Sequence, residues 1–428
     1  MRQQSTRADR LRRTVARGAG LWETVSRGAT YNPLSRRVVQ NPYAVYAALR
    51  RRSPVHRSAI LGSWVLTRYE DVAAAAKDHE RFSNNPRWRG ATTSVLPPAP
   101  DDYSILLMDP PDHSRLRRVA SRAFTRAHLD VLGETIARSA AELVERAVQG
   151  QARTTDWIAD VAAPLSMRVM LQMMGIPGEE RGRWEAWVPE RARLLEMIAA
   201  RDERRTAHRA GTEMQHYFTA LLRQRSESDE DDAVSTFARQ VATGEGISMA
   251  EASDMLSVLM IAGNETTTNL IGNGMLALLR YPEQMQMLRE EPARIDDAIE
   301  EMLRFDSPVQ TDFRIAKARV TMRKRVINPG DGVILLTGSA NRDGAAFEHP
   351  DAFDITRKGP RHMSFGHGVH YCIGAELARM EARTVFGEVL RSTTRIKLAD
   401  EEPQYRQSTV IRGLAALPLR LERRTGQA

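Results

Sequence analysis

The chain has 428 residues, 42% hydrophobic and 27% charged, which is enough apolar sequence to bury a large core. No stretch approaches the roughly eighteen uninterrupted apolar residues of a membrane span, and no apolar leader or secretory signal opens the chain. A single cysteine excludes an internal disulfide framework and points to a reducing cytoplasm. The 62 basic residues outnumber 54 acidic ones, for a formal net charge of +8. With no zinc-finger spacing and no RNA-binding aromatic signature, that excess predicts an acidic protein partner and no nucleic acid.

Residues 1–30 set seven arginines (Arg2 to Arg27) against Asp9 and Glu23, and read as a flexible basic arm. Leu11, Val15, Leu21, Trp22 and Val25 leave open an organelle presequence or a membrane-surface helix. A short helix is expected from Tyr43 to Arg52. Two strands follow, over 54–60 and 64–67, and a helix begins at Glu70. Residues 84–104 are irregular and long for a loop, a length that usually carries function. Asp109-Pro110-Pro111 reads as a helix start, with Asp109 as N-cap and Pro110 in the first turn. On that helix His113 and Arg117 share a face and suit a pair of carboxylates, whereas Arg115, Arg118 and Arg122 read as a solvated basic face. Residues 130–240 read as helices broken at Gly150, at Gly175–Gly178 and at Asp229–Asp232.

Ser248 and Glu251 form a capping box, and Pro282 predicts that the helix they open runs to Tyr281. That helix is apolar nearly all round, the signature of a helix buried through the middle of a domain. Its centre, Ala262-Gly263-Asn264-Glu265-Thr266-Thr267-Thr268-Asn269, breaks the pattern. Gly263 would leave room for a ligand, and a hydroxyl beside an acid is what delivery of protons to dioxygen needs. The competing reading is local: threonines bonded back to carbonyls, with Glu265 in solvent or a salt bridge.

Glu301 and Arg304 stand one turn apart, a spacing common on surface helices, and an extended segment follows through Arg314. Residues 365–374 read Phe-Gly-His-Gly-Val-His-Tyr-Cys-Ile-Gly, ahead of a run of good helix formers. Cys372 thus sits at a helix N-terminus, whose dipole favours the thiolate. One cysteine cannot build a tetrahedral zinc site or an iron–sulfur cluster, but it suits one axial bond to haem iron. The alternative for a lone cysteine is a small buried hydrophobe. Residues 408–421 alternate as a hairpin.

The filled pattern Phe-Gly-x-Gly-x-His-x-Cys-x-Gly resembles the haem-ligand loop of the cytochrome P-450 family. The resemblance spans about residues 31–425, with four signatures in order. It implies a mainly α fold with a small β region (α+β), in which residues 31–428 form a single domain around haem b. It carries Cys372 to the axial ligand of the iron and Phe365 to the cofactor-binding loop. His113, Arg117, Arg314 and His370 are carried to the haem propionates, and Glu265 and Thr266 to the acid–alcohol pair. Glu301 and Arg304 become the brace before the ligand loop, and Ala262, Val309 and Ile411 face the substrate. The helices between Trp184 and Arg225 become a mobile pair over the active site. The implied activity is a monooxygenase acting with O2 on an apolar small molecule, as a monomer fed by a ferredoxin and ferredoxin reductase. Arg115, Arg118, Arg122, Arg379 and Arg383 would dock the ferredoxin. Peroxide-driven oxidation, coupling or isomerisation, or a non-catalytic haem sensor, are the competing functions.

Overall fold

The computed structural model describes residue 23 and residues 29–88, 104–149, 154–196, 201–244, 246–399 and 402–424. Most of the basic arm and most of the 84–104 stretch lie outside them. Glu23 is described and buried, and accepts hydrogen bonds from Thr30 Oγ1, Ser58 Oγ and the Ile60 amide.

Helix α1 (Tyr43–Arg52) leads into β1 (Val55–Ser58) and β2 (Ser63–Leu66), which pair antiparallel with Val55 opposite Leu66. Helix α2 (Tyr69–Lys77) and the short β3 (Phe82–Ser83) follow. Two later strands, β5 (Asp312–Ala316) and β6 (Gly332–Leu335), complete a sheet of order β1-β2-β6-β5-β3. In β6, Val333, Ile334 and Leu335 have no exposed surface, because the strand is central and covered on both faces.

The helix after Asp109 departs from expectation. α3 (Asp112–Ser121) begins two residues late, with Pro111 at its N-cap and no side-chain cap. Asp109 instead accepts from the Asn84 amide and Ser83 Oγ, so a tertiary partner at the end of β3 outcompetes local capping. The next stretch holds α4 (Arg126–Gln149), α5 (Ala163–Met173), α6 (Arg181–Ala192), α7 (Arg201–Gln224) and α8 (Ala233–Ala242). The break before α8 is enforced by Asp232, whose carboxylate caps it through the Ser235 amide, 2.7 Å. A strand also intrudes where only helix was expected: β4 (Thr155–Asp156) pairs with Pro418 and Leu419 near the chain's end.

Helix α9 (Met249–Arg280) has both halves of its capping box closed and stops where Pro282 demanded. Its 32 residues make a rod of about 48 Å. Helices α5, α6 and α7 pack on it, as do α10 (Ile295–Phe305) and α11 (Ala375–Ser392). Met255, Leu256, Leu270, Ile271 and Met275 are buried in that seam, each stabilising the fold by about 1.5–3 kcal/mol. Asn273 is buried too, and its amide donates to the Asp306 and Arg412 carbonyls, which fastens the rod to the loops beside it.

The C-terminal hairpin is not formed as expected. β7 (Thr393–Leu398) and β8 (Pro418–Arg423) pair with each other, and within the intervening loop the isolated bridge Tyr405–Leu414 stands in place of a strand ladder. Ser408 Oγ accepts from the Val410 and Ile411 amides, folding 408–411 into a turn that cannot continue a strand. No helix among the described residues is long and apolar enough to cross a membrane.

Candidate active site

The cysteine loop is held from three sides. The Met363 amide donates to Asn341 Oδ1, and Ser364 Oγ donates to the Leu303 carbonyl. Gly366 and Gly368 both adopt φ +71°, a conformation glycine enters without a Cβ penalty. At Gly368 a Cβ would also lie 2.7 Å from the Ala76 carbonyl oxygen, so the loop presses on the end of α2. The Cys372 amide donates to the Phe365 carbonyl, 2.8 Å, closing the loop just before α11 starts. Arg379, on the first turns of α11, covers the Phe365 ring at 4.6 Å and pairs with Glu300 at 2.6 Å.

Burial pushes the Cys372 thiol up, against the pull of the Gly374 N–H, Arg117 and Arg379. The expectation that the helix terminus alone favours thiolate is therefore corrected: desolvation outweighs it, and a metal cation would restore the balance.

Beside this loop, His113 of α3 is 2% exposed and its ring lies 4.1 Å from that of His370. Burial, the neighbouring His113, Arg314 and Arg117 push His370 down to about 3, so its imidazole is neutral at ordinary pH. His113 Nδ1 is buried with no hydrogen-bond partner. Arg117 is half-buried, and among the described residues no carboxylate pairs with it. Arg314 is 2% exposed, but its Nη1 is engaged by Asp312 at 2.8 Å and by the Phe313 carbonyl. Expected as an anion ligand, Arg314 is in this state tied to its own strand.

The polar centre of α9 carries both features of the local reading. Thr266 Oγ1 donates to the Ala262 carbonyl at 2.6 Å, and Glu265 Oε1 lies 3.2 Å from Arg406 Nη2. Burial still holds the Glu265 carboxyl above the usual range, with Arg406 opposing and Glu196 reinforcing. Gly263 is a correction: the Met170 sulfur would lie 2.3 Å from a Cβ there, so the glycine admits α5 and not a ligand. Val309 and Ile411, far apart in sequence, meet in an isolated bridge. Glu301 and Arg304 pair at 2.6 Å and are each 3% exposed. Arg406 and Glu196 were not singled out from sequence, and no local pattern marks either.

The residues around the lone cysteine fit a haem-thiolate site: an unpartnered His113 nitrogen and a guanidinium with no carboxylate among the described residues are what the carboxylates of a porphyrin would complete. The sequence model of the family Cytochrome P450 matches residues 62–418, and the chain belongs to that family. It is similar to a vitamin D(3) 25-hydroxylase of Pseudonocardia autotrophica, 37% identical over 395 residues, covering 89% of this chain and 94% of that protein. A biotin biosynthesis cytochrome P450 of Bacillus subtilis strain 168 is 34% identical, over 90% of this chain and 97% of that protein. Among solved structures, the bacillaene polyketide synthase cytochrome P450 PksS of Bacillus subtilis 168 superposes with TM-score 0.84 at 32% identity, covering 92% and 100% of the two chains. The protein is a cytochrome P450 monooxygenase, an oxidoreductase that uses haem b, O2 and electrons from redox partners.

Proposed function

We propose that this enzyme inserts one oxygen atom of O2 into a small, largely apolar organic substrate by hydroxylation or epoxidation. Terpenoids, polyketides, fatty acids and other secondary metabolites are the candidate class. The observation that carries this reading is the acid–alcohol pair Glu265–Thr266, half-buried in the middle of a long, mostly apolar helix. A carrier or sensor has no use for a carboxyl whose burial is so costly.

When bound, haem supplies the oxidation chemistry. Cys372 Sγ would hold the iron, with His113, Arg117, His370 and Arg314 as the cationic and hydrogen-bonding set for the propionates and Phe365 within the ligand loop. Glu265 carries a proton and Thr266 Oγ, its own hydrogen spent on the Ala262 carbonyl, can accept one. Val309, Ile411 and Ala262 face the substrate. Glu301 and Arg304 act structurally. The reduced protein treated with carbon monoxide should show the red-shifted Soret band of thiolate-ligated haem, and Cys372→Ala should lose it. With a substrate found by its spin-state shift, Thr266→Ala should divert electrons from product. Unchanged coupling would remove its role.

The electron donor we assign is a ferredoxin with its reductase, acting on a cytoplasmic monomer. Arg115, Arg379 and Arg383 are committed to Glu251, Glu300 and Asp296, which leaves Arg118 and Arg122, both exposed, as the free cations of the basic cluster among the described residues. Reduction by ferredoxin should slow as ionic strength rises, and a flat profile argues against docking by charge.

A further inference from the structure

Arg406 lies in the loop between β7 and β8, 141 positions from Glu265 in the sequence. The loop is rigid where the arginine leaves it. The Arg406 amide donates to the Gly413 carbonyl at 2.9 Å, Tyr405 Oη donates to Asp306 at 2.7 Å, and Arg412 donates to Asp306 at 2.6 Å. From this base the guanidinium crosses to α9. There Nη2 lies 2.7 Å from Asn269 Oδ1 and 3.2 Å from Glu265 Oε1. Those two residues are four apart and share one face of the helix.

Gly413 makes the crossing possible. A Cβ at that position would lie 1.9 Å from Asn269 Oδ1 and 2.9 Å from Arg406 Nη2. The Arg406 side chain is 42% exposed against 19% for Glu265, so the arginine reaches from solvent to an inner carboxylate. A half-open cleft of about 30 Å³, room for a water, is lined by Tyr31, Val39, Tyr405, Arg406 and Thr409.

We propose that Arg406 is the positioning residue of Glu265: from the β7–β8 loop it aims the carboxylate along α9 and links it to solvent. The proposal rests on the reading of Glu265 as the proton-carrying acid. Among the described residues one other charged group acts on Glu265. Glu196, after α6, accepts from the Thr409 amide and Oγ1, both 2.7 Å, and its charge opposes ionisation of Glu265. The same loop thus presents a cation to the acid and holds an anion near it.

The test is an infrared titration of the holoenzyme, following the carboxyl stretch that Glu265→Gln removes. Arg406→Gln keeps a donor for Asn269 but loses the cation, and should raise the midpoint by about one pH unit or more. Arg406→Lys should leave the midpoint near wild type. Gly413→Ala, which keeps both charged groups but sets a Cβ against Asn269 Oδ1 and Arg406 Nη2, should shift it in the direction of Arg406→Gln. An unmoved midpoint in Arg406→Gln, or equal shifts in the Gln and Lys variants, overturns the proposal. Coupling measured separately in Glu265→Gln isolates the underlying reading. If the midpoint moves as expected while coupling is unaffected, Arg406 positions Glu265 but Glu265 carries no proton for the reaction.

Discussion

Two clusters of polar side chains, Glu301–Arg304 and His113–Arg117–Cys372, are finished to different degrees. At Glu301 and Arg304 every donor is spoken for. Arg304 gives two hydrogen bonds to Glu301 and one each to the carbonyls of Asn341, Pro350 and Ala352, all five of a guanidinium's N–H groups. Glu301 accepts further from the Asp354 amide and from Arg357. At His113, Arg117 and Cys372 the reverse holds: one ring nitrogen has no partner, one guanidinium has no carboxylate, and burial presses a thiol away from ionising. Folding alone completes the first cluster. The second has donors that the described residues do not satisfy, which is what our reading of it as the haem site requires and what a finished brace lacks.

The largest break in this comparison should come from the finished cluster. Arg304→Ala leaves Glu301 buried with Arg357 as its one remaining cation, and should destabilise the fold by about 3–5 kcal/mol in urea unfolding. A loss below about 1 kcal/mol would show that the pair is decoration and that satisfied hydrogen bonds do not mark a brace.

The pair Glu301–Arg304 and the loop around Cys372 were legible in the sequence, for a shared reason: the residues of each are close in sequence or sit in a fixed pattern. Glu301 and Arg304 are one turn apart, and Cys372 is framed by glycines whose spacing sets the loop. The box of Ser248 and Glu251 was legible on the same terms. What failed was whatever depends on a distant partner. Asp109 obeys the N-cap rule locally but is claimed by Ser83 and Asn84. Gly263 looks like space for a ligand until Met170 fills it. Arg406 and Glu196 carry no signal because their partners lie on other elements.

Glu381 is a third kind of buried group, neither finished nor awaiting a ligand on view. It is 1% exposed on α11, both its oxygens lack a partner, and Ser166 Oγ beside it closes no hydrogen bond. Burial pushes its carboxyl up to about 8 from an ordinary 4.5. As pH rises through about 4.5 the unfolded chain loses this proton first, while the folded chain keeps it to about 8. Stability should therefore fall across that window, by up to about 1.4 kcal/mol per pH unit, and level off above it. Glu381→Gln should flatten the slope and stabilise the protein at neutral pH by a few kcal/mol, on the order of that integral. Urea unfolding from about pH 5 to pH 9 decides it; a wild-type curve already flat there means that the proton is not held.

The smallest expected effect is the most discriminating, because it changes sign with occupancy. His113→Leu removes a buried nitrogen that no described residue satisfies. In protein freed of haem the variant should be as stable as wild type, or more stable by about 1 kcal/mol, since an orphaned polar atom is worse than an apolar one. On our reading of His113 as a propionate partner, bound haem gives the nitrogen a partner to lose, and the variant should release the cofactor to a scavenging apoprotein about tenfold faster, the worth of roughly 1.4 kcal/mol. The same substitution logic at Arg304 gives a loss in both states. If His113→Leu destabilised the haem-free protein as well, its nitrogen would belong with the finished cluster, and the division between brace and cofactor site would have to be drawn elsewhere.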